Sequence, residues 1–326
     1  MKLKSLTIQG YKNLENISID FSTNKGISLL VGNNGCGKSN ILEAISAIFA
    51  GLYMDRKFKP SFDYQLDYEV NCHDVNISLH DGTYRISVDS KSLSKTDFSA
   101  DADNLPTNLI ACYSGESLRL WDSYYWMYYR DYIADIKKLI AVPRLPLVYI
   151  NKYTLDFALL VLFSFDFTVF TDIAEFCQKT LGIKSVKHIT FTFNESKKIK
   201  TWQVNEILNF VKALCGVDDM SKIPSQIEVS LEEYKKNIAY LQNRERDLFY
   251  FLFGACMPKE DKIITNIILD LELHNGATIR VNDLSEGEKK NILITTILEV
   301  LADENSLILL DEPDSHIHIS RKQDLK

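Results

Sequence analysis

The sequence lacks the features that mark several large classes of protein. Its six cysteines form no CxxC pair and stand near no pair of histidines, which excludes a zinc site of the usual spacing. The N-terminus, MKLKSLTIQGYKNL, has no apolar core after its lysines and is not a signal peptide. The longest apolar run, residues 157–165, has nine residues, whereas a membrane helix needs about 20. These absences indicate a cytoplasmic protein with reduced thiols that does not cross a membrane.

Two further features are scarce: positive charge and heptad repeats. Lysine and arginine number 37 against 44 acidic residues, a net charge of −7, which argues against a generic nucleic-acid coat protein and requires any basic patch to be local. No long heptad run is present, which excludes the long coiled coil of a chromosome-condensing ATPase. Aromatic residues make up 11% of the chain, enough to exclude a disordered protein. The length of 326 residues predicts about two domains at ~150 residues each.

Apolar periodicity divides the chain into three parts. Residues 1–115 predict strands at 3–21, a strand buried on both faces at 27–31 and a helix at 40–49. They also predict antiparallel strands within 66–90, joined by a hairpin turn at His80-Asp81-Gly82, and a strand at 109–113, with 91–106 as a surface loop. Residues 116–260 are rich in aromatics and predict a mainly helical accessory insertion, with helices at 204–214 and 231–253 and a strand at 186–193. Residues 261–326 return to an α/β pattern, with a hairpin at Asn275–Gly276, a helix from 284 to about 301 and a buried strand at 306–310.

The strongest motif is a phosphate loop between a predicted strand and a predicted helix. It fits G-x-x-x-x-G-K-[ST], because Lys38 and Ser39 follow a glycine-rich turn. Backbone N–H groups and the helix N-terminus attract phosphate oxygens, Lys38 reaches the β- and γ-phosphates, and the Ser39 hydroxyl binds Mg²⁺. The predicted ATP-binding residues are Gly32, Asn33, Asn34, Gly35, Cys36, Gly37, Lys38, Ser39 and Asn40.

The second motif is an apolar strand that ends in Asp311 and Glu312. A carboxylate at the end of a buried strand is costly unless it meets a cation. Asp311 is therefore the second predicted Mg²⁺ ligand beside Ser39. Glu312 is the predicted catalytic residue, as the base that orients the attacking water.

The third motif is LSEGE at residues 284–288, which begins a helix 26 residues before Asp311. Ser285, Gly287 and Glu288 lie at a helix N-terminus, which favours an anion. Since the chain already has one phosphate loop, a second such site suggests contact with the nucleotide of another protomer. A plain capping box between Ser285 and Glu288 is equally compatible with the sequence.

The three motifs in this order resemble the ATP-binding cassette ATPases. The N-terminal strands followed by GNNGCGKSNILEAI resemble the RecF, Rad50 and overcoming-lysogenization-defect branch, as does DEPDSHIH at residues 311–318. The resemblance covers residues 1–115 and 261–326. It implies an α/β P-loop ATPase head of the ABC type, with N-terminal antiparallel strands, a parallel core sheet and the helical insertion. It also implies a homodimer or higher homo-oligomer that forms around ATP and Mg²⁺.

More closely, the chain resembles the PtuA-like ATPases of Septu and retron antiphage defence. That resemblance implies an HNH-type nuclease partner of the PtuB-like kind, and in retrons a reverse transcriptase with its RNA–DNA product. The family places a further strand after the Asp-Glu strand, whereas this sequence stops fourteen residues after Glu312. We therefore expect the natural protein to be longer. Whether residues 1–326 alone turn ATP over is left open.

Several weaker signals have alternative interpretations. The aromatic segment at residues 121–132 is core, a partner interface or a stacking surface for single-stranded nucleic acid. The lysines at 197, 198 and 200 form a solvated face or contact a phosphate backbone. His316 and His318 either bind a metal or face the partner protomer beside the nucleotide. By resemblance alone, Tyr11, Lys12 and Asn13 lie near the base or α-phosphate, and Gln65 is a candidate link between Mg²⁺ and the insertion.

Three functions remain open from the sequence. The first is a slowly hydrolysing ATPase that regulates a partner nuclease in antiphage defence. The second is a DNA-repair ATPase of the RecF and Rad50 type that acts on DNA. The third is a nucleotide-dependent structural scaffold with negligible turnover.

Overall fold

A computed structural model describes residues 1–23, 26–33, 35–54, 57–113, 120–151, 154–165, 171–195, 199, 201–242, 244–257 and 262–311. The chain forms two compact units. The first contains residues 1–129, 146–149 and 302–311, and the second contains residues 130–145 and 150–301.

The first unit is built around a six-stranded antiparallel sheet. Its strands are β1 (Lys2–Tyr11), β2 (Leu14–Asp20), β3 (Asp63–Val70), β4 (His73–His80), β5 (Thr83–Val88) and β6 (Lys91–Leu93), in the order β2-β1-β3-β4-β5-β6. Alternate residues such as Leu66 and Tyr68 are buried, as expected for strands with one face on the core. The β4–β5 hairpin turns at Asp81 and Gly82, both with positive φ, as the sequence predicts.

A second, smaller sheet carries the parallel pairing expected of the core. It consists of β7 (Leu109–Tyr113), β8 (Leu147–Ile150) and β13 (Leu307–Asp311), in the order β13-β7-β8, and β13 runs parallel to β7. Helix α1 (Lys38–Tyr53) contacts β1 of the first sheet as well as β7 and β13. The predicted combination of N-terminal antiparallel strands with a parallel core sheet is therefore confirmed.

Residues 27–31 do not form the predicted buried strand. Within the described part of the chain, no strand pairs with residues 26–33, and Ile27, Leu29 and Val31 are 80–86% exposed. Leu30 alone packs against the core of the unit. A strand is buried on both faces only when neighbouring strands take up its backbone hydrogen bonds, and that condition is not met here.

Residues 91–106 are not the predicted surface loop. They form β6, a short helix α2 (Lys95–Ala100) and a 3₁₀ turn (Ala102–Asn104). The Ser94 side chain caps α2 by accepting a hydrogen bond from the Asp97 N–H. Phe98 and Leu105 are buried in the core, so two apolar anchors hold a segment that is otherwise polar.

The aromatic segment at residues 121–132 contributes to the cores of its units. It forms a π-helical turn (Trp121–Tyr125) that continues into α3 (Trp126–Ile136). In the first unit Tyr125 and Tyr129 are each 1% exposed, and the Tyr125 ring centroid lies 5.4 Å from that of Tyr149. Core packing is therefore the role that the structure shows for these rings.

The second unit combines helices with a four-stranded antiparallel sheet. The sheet has the order β10-β9-β11-β12, from β9 (Ile183–Phe193), β10 (Gln226–Ser230), β11 (Ile264–Leu273) and β12 (Thr278–Arg280). Strand β9 pairs with β11 across the predicted boundary at residue 260. The three-part division at residues 115 and 260 stays a prediction about domains.

The helices of this unit are α4 (Leu155–Ser164), α5 (Thr171–Glu175, followed by a π turn at Phe176–Thr180), α6 (Glu206–Cys215), α7 (Leu231–Asn237), α8 (Glu245–Cys256) and α9 (Glu286–Thr296, followed by a π turn at Ile297–Leu301). The longest apolar run of the sequence lies in α4, which packs against α7, α8 and α9. The predicted helix at 231–253 is instead two helices, α7 and α8, with a 3₁₀ turn (Ala239–Leu241) between them. No helix among the described residues combines the length and hydrophobicity needed to span a bilayer.

Candidate nucleotide-binding site

The phosphate loop lies in the first unit, immediately before α1. Gly37 is the residue that precedes the helix, and its φ of 101° is a left-handed conformation that favours glycine. The helix begins without a side-chain cap, so its first N–H groups are free of such a partner. A helix N-terminus of this kind attracts an anion, which agrees with the predicted role of the loop.

Lys38 is folded back onto its own loop. Its Nζ donates to the carbonyl oxygen of Gly32 at 2.7 Å and to that of Asn33 at 3.1 Å, and it lies 4.0 Å from the Sγ of Cys36. The Cys36 N–H also donates to the Asn33 oxygen, at 3.2 Å. The ammonium group thus already faces the interior of the loop, where an oxygen of a phosphate can replace the two carbonyls.

Ser39 and Asp311, the two predicted Mg²⁺ ligands, are in contact. The Ser39 hydroxyl lies 3.1 Å from each carboxylate oxygen of Asp311, although the two residues are 272 positions apart. The parallel pairing of β13 with β7, together with the contact of α1 with both strands, brings them together. A hydroxyl and a carboxylate are hard oxygen donors of the kind that Mg²⁺ prefers.

The turn between β1 and β2 contacts the loop from one side. Asn13 Nδ2 donates to the carbonyl oxygen of Gly35 at 3.1 Å, and Asn40 Nδ2 donates to Asn13 Oδ1 at 2.6 Å. The sequence places this turn near the nucleotide by resemblance, but it does not predict either hydrogen bond. Neither contact has a sequence signal, since each depends on how the turn packs against α1.

A buried carboxylate on α1 is a second feature that the sequence analysis missed. Glu43 is 2% exposed, accepts a hydrogen bond from the Tyr11 hydroxyl at 3.1 Å and pairs with the Lys12 ammonium. Tyr124 from the aromatic segment lies 2.6 Å from the Tyr11 hydroxyl. Burial, followed by these hydrogen bonds, raises the pKa of Tyr11. The available signal was a lone acidic residue within the apolar face of NILEAISAIF.

The signature segment lies in the second unit and forms a complete capping box. The Ser285 hydroxyl accepts from the Glu288 N–H at 3.4 Å, and Glu288 Oε2 accepts from the Ser285 N–H at 2.8 Å. The capping interpretation is thus observed, and Ser285 is exposed at the start of α9. The roles of Ser285, Gly287 and Glu288 toward a phosphate stay predictions.

Lys289, the next residue of α9, contacts the Asn282 carbonyl at 3.2 Å and Glu286 at 3.0 Å. It also faces Asp156 at the start of α4. Burial raises the pKa of Asp156 to about 6, and the charge of Lys289 opposes that increase.

Several predicted residues lie outside the described part of the chain. They include Asn34 of the phosphate loop and the predicted catalytic Glu312. The others are Lys197, Lys198, Lys200, His316 and His318.

Among the described residues, one group of possible metal ligands occurs where β3 begins beside the β4–β5 turn, and it consists of Asp63, His80 and Asp81. His80 Nδ1 lies 2.5 Å from Asp63 Oδ2, and its Nε2 lies 3.5 Å from Asp81 Oδ2. The Asp81 N–H donates to Asp63 Oδ1 at 3.1 Å. The two nitrogens of the imidazole thus face carboxylates at the start of β3 and in the β4–β5 turn, which accounts for the cluster as a set of contacts that stabilise the turn.

Two family models and several known proteins match this chain. Residues 1–119 match the family described as "AAA ATPase domain", and residues 173–325 match the family described as "AAA domain, putative AbiEii toxin, Type IV TA system". A "Retron Vc95 probable ATPase" from Vibrio cholerae is 24% identical over 98% of this chain, which spans 65% of that relative's length. A "Retron Ec83 probable ATPase" from Escherichia coli is 47% identical, but over 14% of the chain and 8% of that protein.

The chain is similar to a retron ATPase along nearly its whole length. The matches confirm the resemblance to retron ATPases and RecF proteins that the motifs supported. "DNA replication and repair protein RecF" from Streptococcus gordonii is 23% identical over 99% of this chain and 89% of that protein. Among solved structures, an Smc head domain from Pyrococcus furiosus bound to the C-terminal domain of ScpA is 14% identical, with a TM-score of 0.39, over 99% of this chain and 86% of that one.

Proposed function

We propose that the ATPase binds ATP with Mg²⁺ between the phosphate loop and the end of β13, at Gly32–Asn40 and Asp311. The contact between Ser39 and Asp311 carries this proposal, because it joins the two predicted metal ligands in one unit. Mg²⁺ is commonly held by one or two protein oxygens together with water and phosphate, and these side chains fit that requirement. Bound there, Mg²⁺ supplies charge neutralisation for the phosphates.

The residues of the loop have distinct tasks in this proposal. Lys38 exchanges the carbonyl oxygens of Gly32 and Asn33 for oxygens of the β- and γ-phosphates. Its positive charge then stabilises the negative charge of the phosphates. Glu312 orients the attacking water and accepts its proton. Hydrolysis is slow, as is typical of a nucleotide-dependent switch rather than a metabolic enzyme.

We further propose that two copies of the chain enclose ATP. Ser285, Gly287 and Glu288 of one protomer face the γ-phosphate bound to the phosphate loop of the other. The exposed start of α9 supports this role, since its N–H groups and dipole attract an anion. Binding a phosphate there requires the Ser285 hydroxyl to exchange its Glu288 contact for the phosphate oxygen.

The proposed biological role is the regulation of a partner nuclease in antiphage defence. Its support is the similarity to a retron ATPase along 98% of this chain. The expected partners are an HNH-type nuclease and, in a retron, a reverse transcriptase with its RNA–DNA product. Native mass spectrometry of the gently purified natural-length protein tests this. A nuclease or a reverse transcriptase in the complex supports the proposal, and a bare homodimer contradicts it.

The ATP-dependent dimer is tested by sedimentation with the Glu312→Gln variant. We expect Glu312→Gln to bind ATP without hydrolysis and to sediment as a dimer when ATP and Mg²⁺ are present. Lys38→Ala is the matched control, and it should remain at the mass observed without nucleotide. If Glu312→Gln hydrolyses ATP at the wild-type rate, the assigned base is wrong, whereas an unchanged mass with ATP contradicts the dimer.

A second candidate function is a DNA-repair ATPase, because the match to the RecF protein of Streptococcus gordonii spans 89% of that protein. Such an enzyme should show ATP turnover that DNA stimulates and that falls steeply with salt. A nuclease regulator should show turnover that is insensitive to bare DNA. A structural scaffold should bind ATP without turning it over.

A further inference from the structure

The turn between β1 and β2 contacts both the phosphate loop and α1, and no sequence motif predicts these contacts. Lys12 has a left-handed φ of 52°, which makes the turn tight. Tyr11 and Lys12 contact Glu43 of α1, and Asn13 contacts the loop itself. Three consecutive side chains of one turn therefore hold the loop and the helix that follows it.

Asn13 uses both ends of its amide. Its NH₂ group donates to the Gly35 carbonyl at 3.1 Å, and its oxygen accepts from Asn40 of α1 at 2.6 Å. A Cβ atom at Gly37 would lie 3.1 and 3.2 Å from the two polar atoms of this amide, so Asn13 stands against the loop backbone. The side chain thus bridges the middle of the loop and the first turn of the helix.

The bond to Gly35 fixes the orientation of one peptide group. The Gly35 carbonyl and the Cys36 N–H belong to the same planar unit and point in opposite directions. With the carbonyl held by Asn13, the Cys36 N–H points to the Asn33 oxygen, which also accepts a hydrogen bond from Lys38. The amide of Asn13 thereby directs a backbone donor to the region that Lys38 occupies.

The turn is itself anchored on the far side. Glu43 is almost fully buried and is paired with Lys12 and Tyr11, so releasing the turn would leave a buried carboxylate without its cation. The backbone that carries Asn13 is therefore held in place. The α1 helix has no side-chain cap of its own, and Asn13 adds contacts from another element to those that the loop makes with itself.

We propose that Asn13 is a positioning residue of the nucleotide site, which preorganises the phosphate loop by holding the Gly35 peptide and Asn40 without touching the nucleotide. This inference rests on the proposed nucleotide site. When the loop is already ordered, the free-energy cost of ordering it does not reduce the affinity for the phosphate.

The test compares Asn13→Ala and Asn13→Asp with Asn16→Ala, a substitution on exposed β2 of the same hairpin. We expect Asn13→Ala to weaken ADP and ATP binding by about 5- to 20-fold, the range for two ordinary hydrogen bonds at an exposed position. Asn13→Asp should weaken binding at least as much, because it cannot donate to Gly35 and adds a negative charge near the phosphates. Urea unfolding without nucleotide checks that each variant is folded before its affinity is compared.

Backbone hydrogen exchange provides a readout that needs no nucleotide. In the free protein, the amides of residues 35–38 should exchange faster in Asn13→Ala than in Asn16→Ala. Equal exchange and equal affinities in these two variants would overturn the inference, even if the wild-type protein binds ATP. If the wild-type protein binds no ATP while exchange still differs, the nucleotide site is wrong and the positioning role falls with it, leaving only a structural contact.

Discussion

Replacing Gly37 by alanine tests the close packing of the β1–β2 turn against the phosphate loop. Gly37 has a φ of 101°, and its carbonyl accepts the first hydrogen bond of α1, from the Ile41 N–H at 2.9 Å. A Cβ atom there would lie 2.8 Å from Cδ2 of Leu14, which is 1% exposed and has little room to move. Gly37→Ala therefore has two effects: it strains the backbone at residue 37, and it places a methyl group too close to Leu14.

The expected loss of stability follows from these two terms. A left-handed conformation costs a residue with a Cβ about 1–2 kcal/mol. Overpacking a tight site adds about 1–3 kcal/mol, so Gly37→Ala should lower the free energy of unfolding by ~2–5 kcal/mol. Gly35→Ala is the matched control, because its φ is 84° but nothing lies within 4 Å of its Cβ position. It should lose only the backbone term of about 1–2 kcal/mol.

Urea unfolding measures both variants. Trp121 and Trp126 lie in the same unit as the loop, so their fluorescence in a Trp202→Phe background reports on that unit. In a Leu14→Ala background, Gly37→Ala should cost less than it does in the wild-type protein, since the clash partner is already removed. Equal losses in Gly37→Ala and Gly35→Ala would refute the reasoning, because the contact with Leu14 would then have no energetic effect.

Three further predictions follow from burial, pKa and metal ligation. Leu29→Thr should change the free energy of unfolding by less than ~0.5 kcal/mol, whereas Leu30→Thr, whose side chain packs on the core, should lose about 1–2 kcal/mol in the same urea assay. Asp156→Asn should increase the free energy of unfolding by about 1–3 kcal/mol at pH 7.5 and leave it unchanged near pH 4. The pKa of Asp156 is raised from 3.8 to about 6, so the wild-type protein loses stability as the pH rises between these two values, whereas the asparagine variant does not. Ser39→Ala should weaken ATP binding by about 10-fold with Mg²⁺ present and much less with EDTA, as measured by titration calorimetry.

The parts of the fold that the sequence predicts are those set by local chemistry. The Asp81–Gly82 turn requires positive φ at two positions, and those residue types supply it cheaply. The contact between Ser39 and Asp311 was predictable for another reason. Both motifs specify a role at one metal, so their joint occurrence implies proximity across 272 positions.

The elements that the sequence did not predict depend on neighbours. The burial of residues 27–31 requires strands beside them, and hydrophobicity alone carries no information on pairing. In the segment 91–106, polar composition concealed the buried side chain of Phe98. The contact of Asn13 with Gly35 depends on the packing of a turn against a helix, which no short motif records.

The most direct test of the account is an equilibrium titration of ATP in the presence of Mg²⁺, with wild-type protein and Lys38→Ala. We expect saturable binding of one nucleotide per chain, weakened by about 10- to 150-fold in Lys38→Ala, the range for charge-assisted hydrogen bonds to phosphate. Equal affinity in the two proteins would contradict it, because the ammonium group inside the loop would then contribute nothing to the binding of the phosphates.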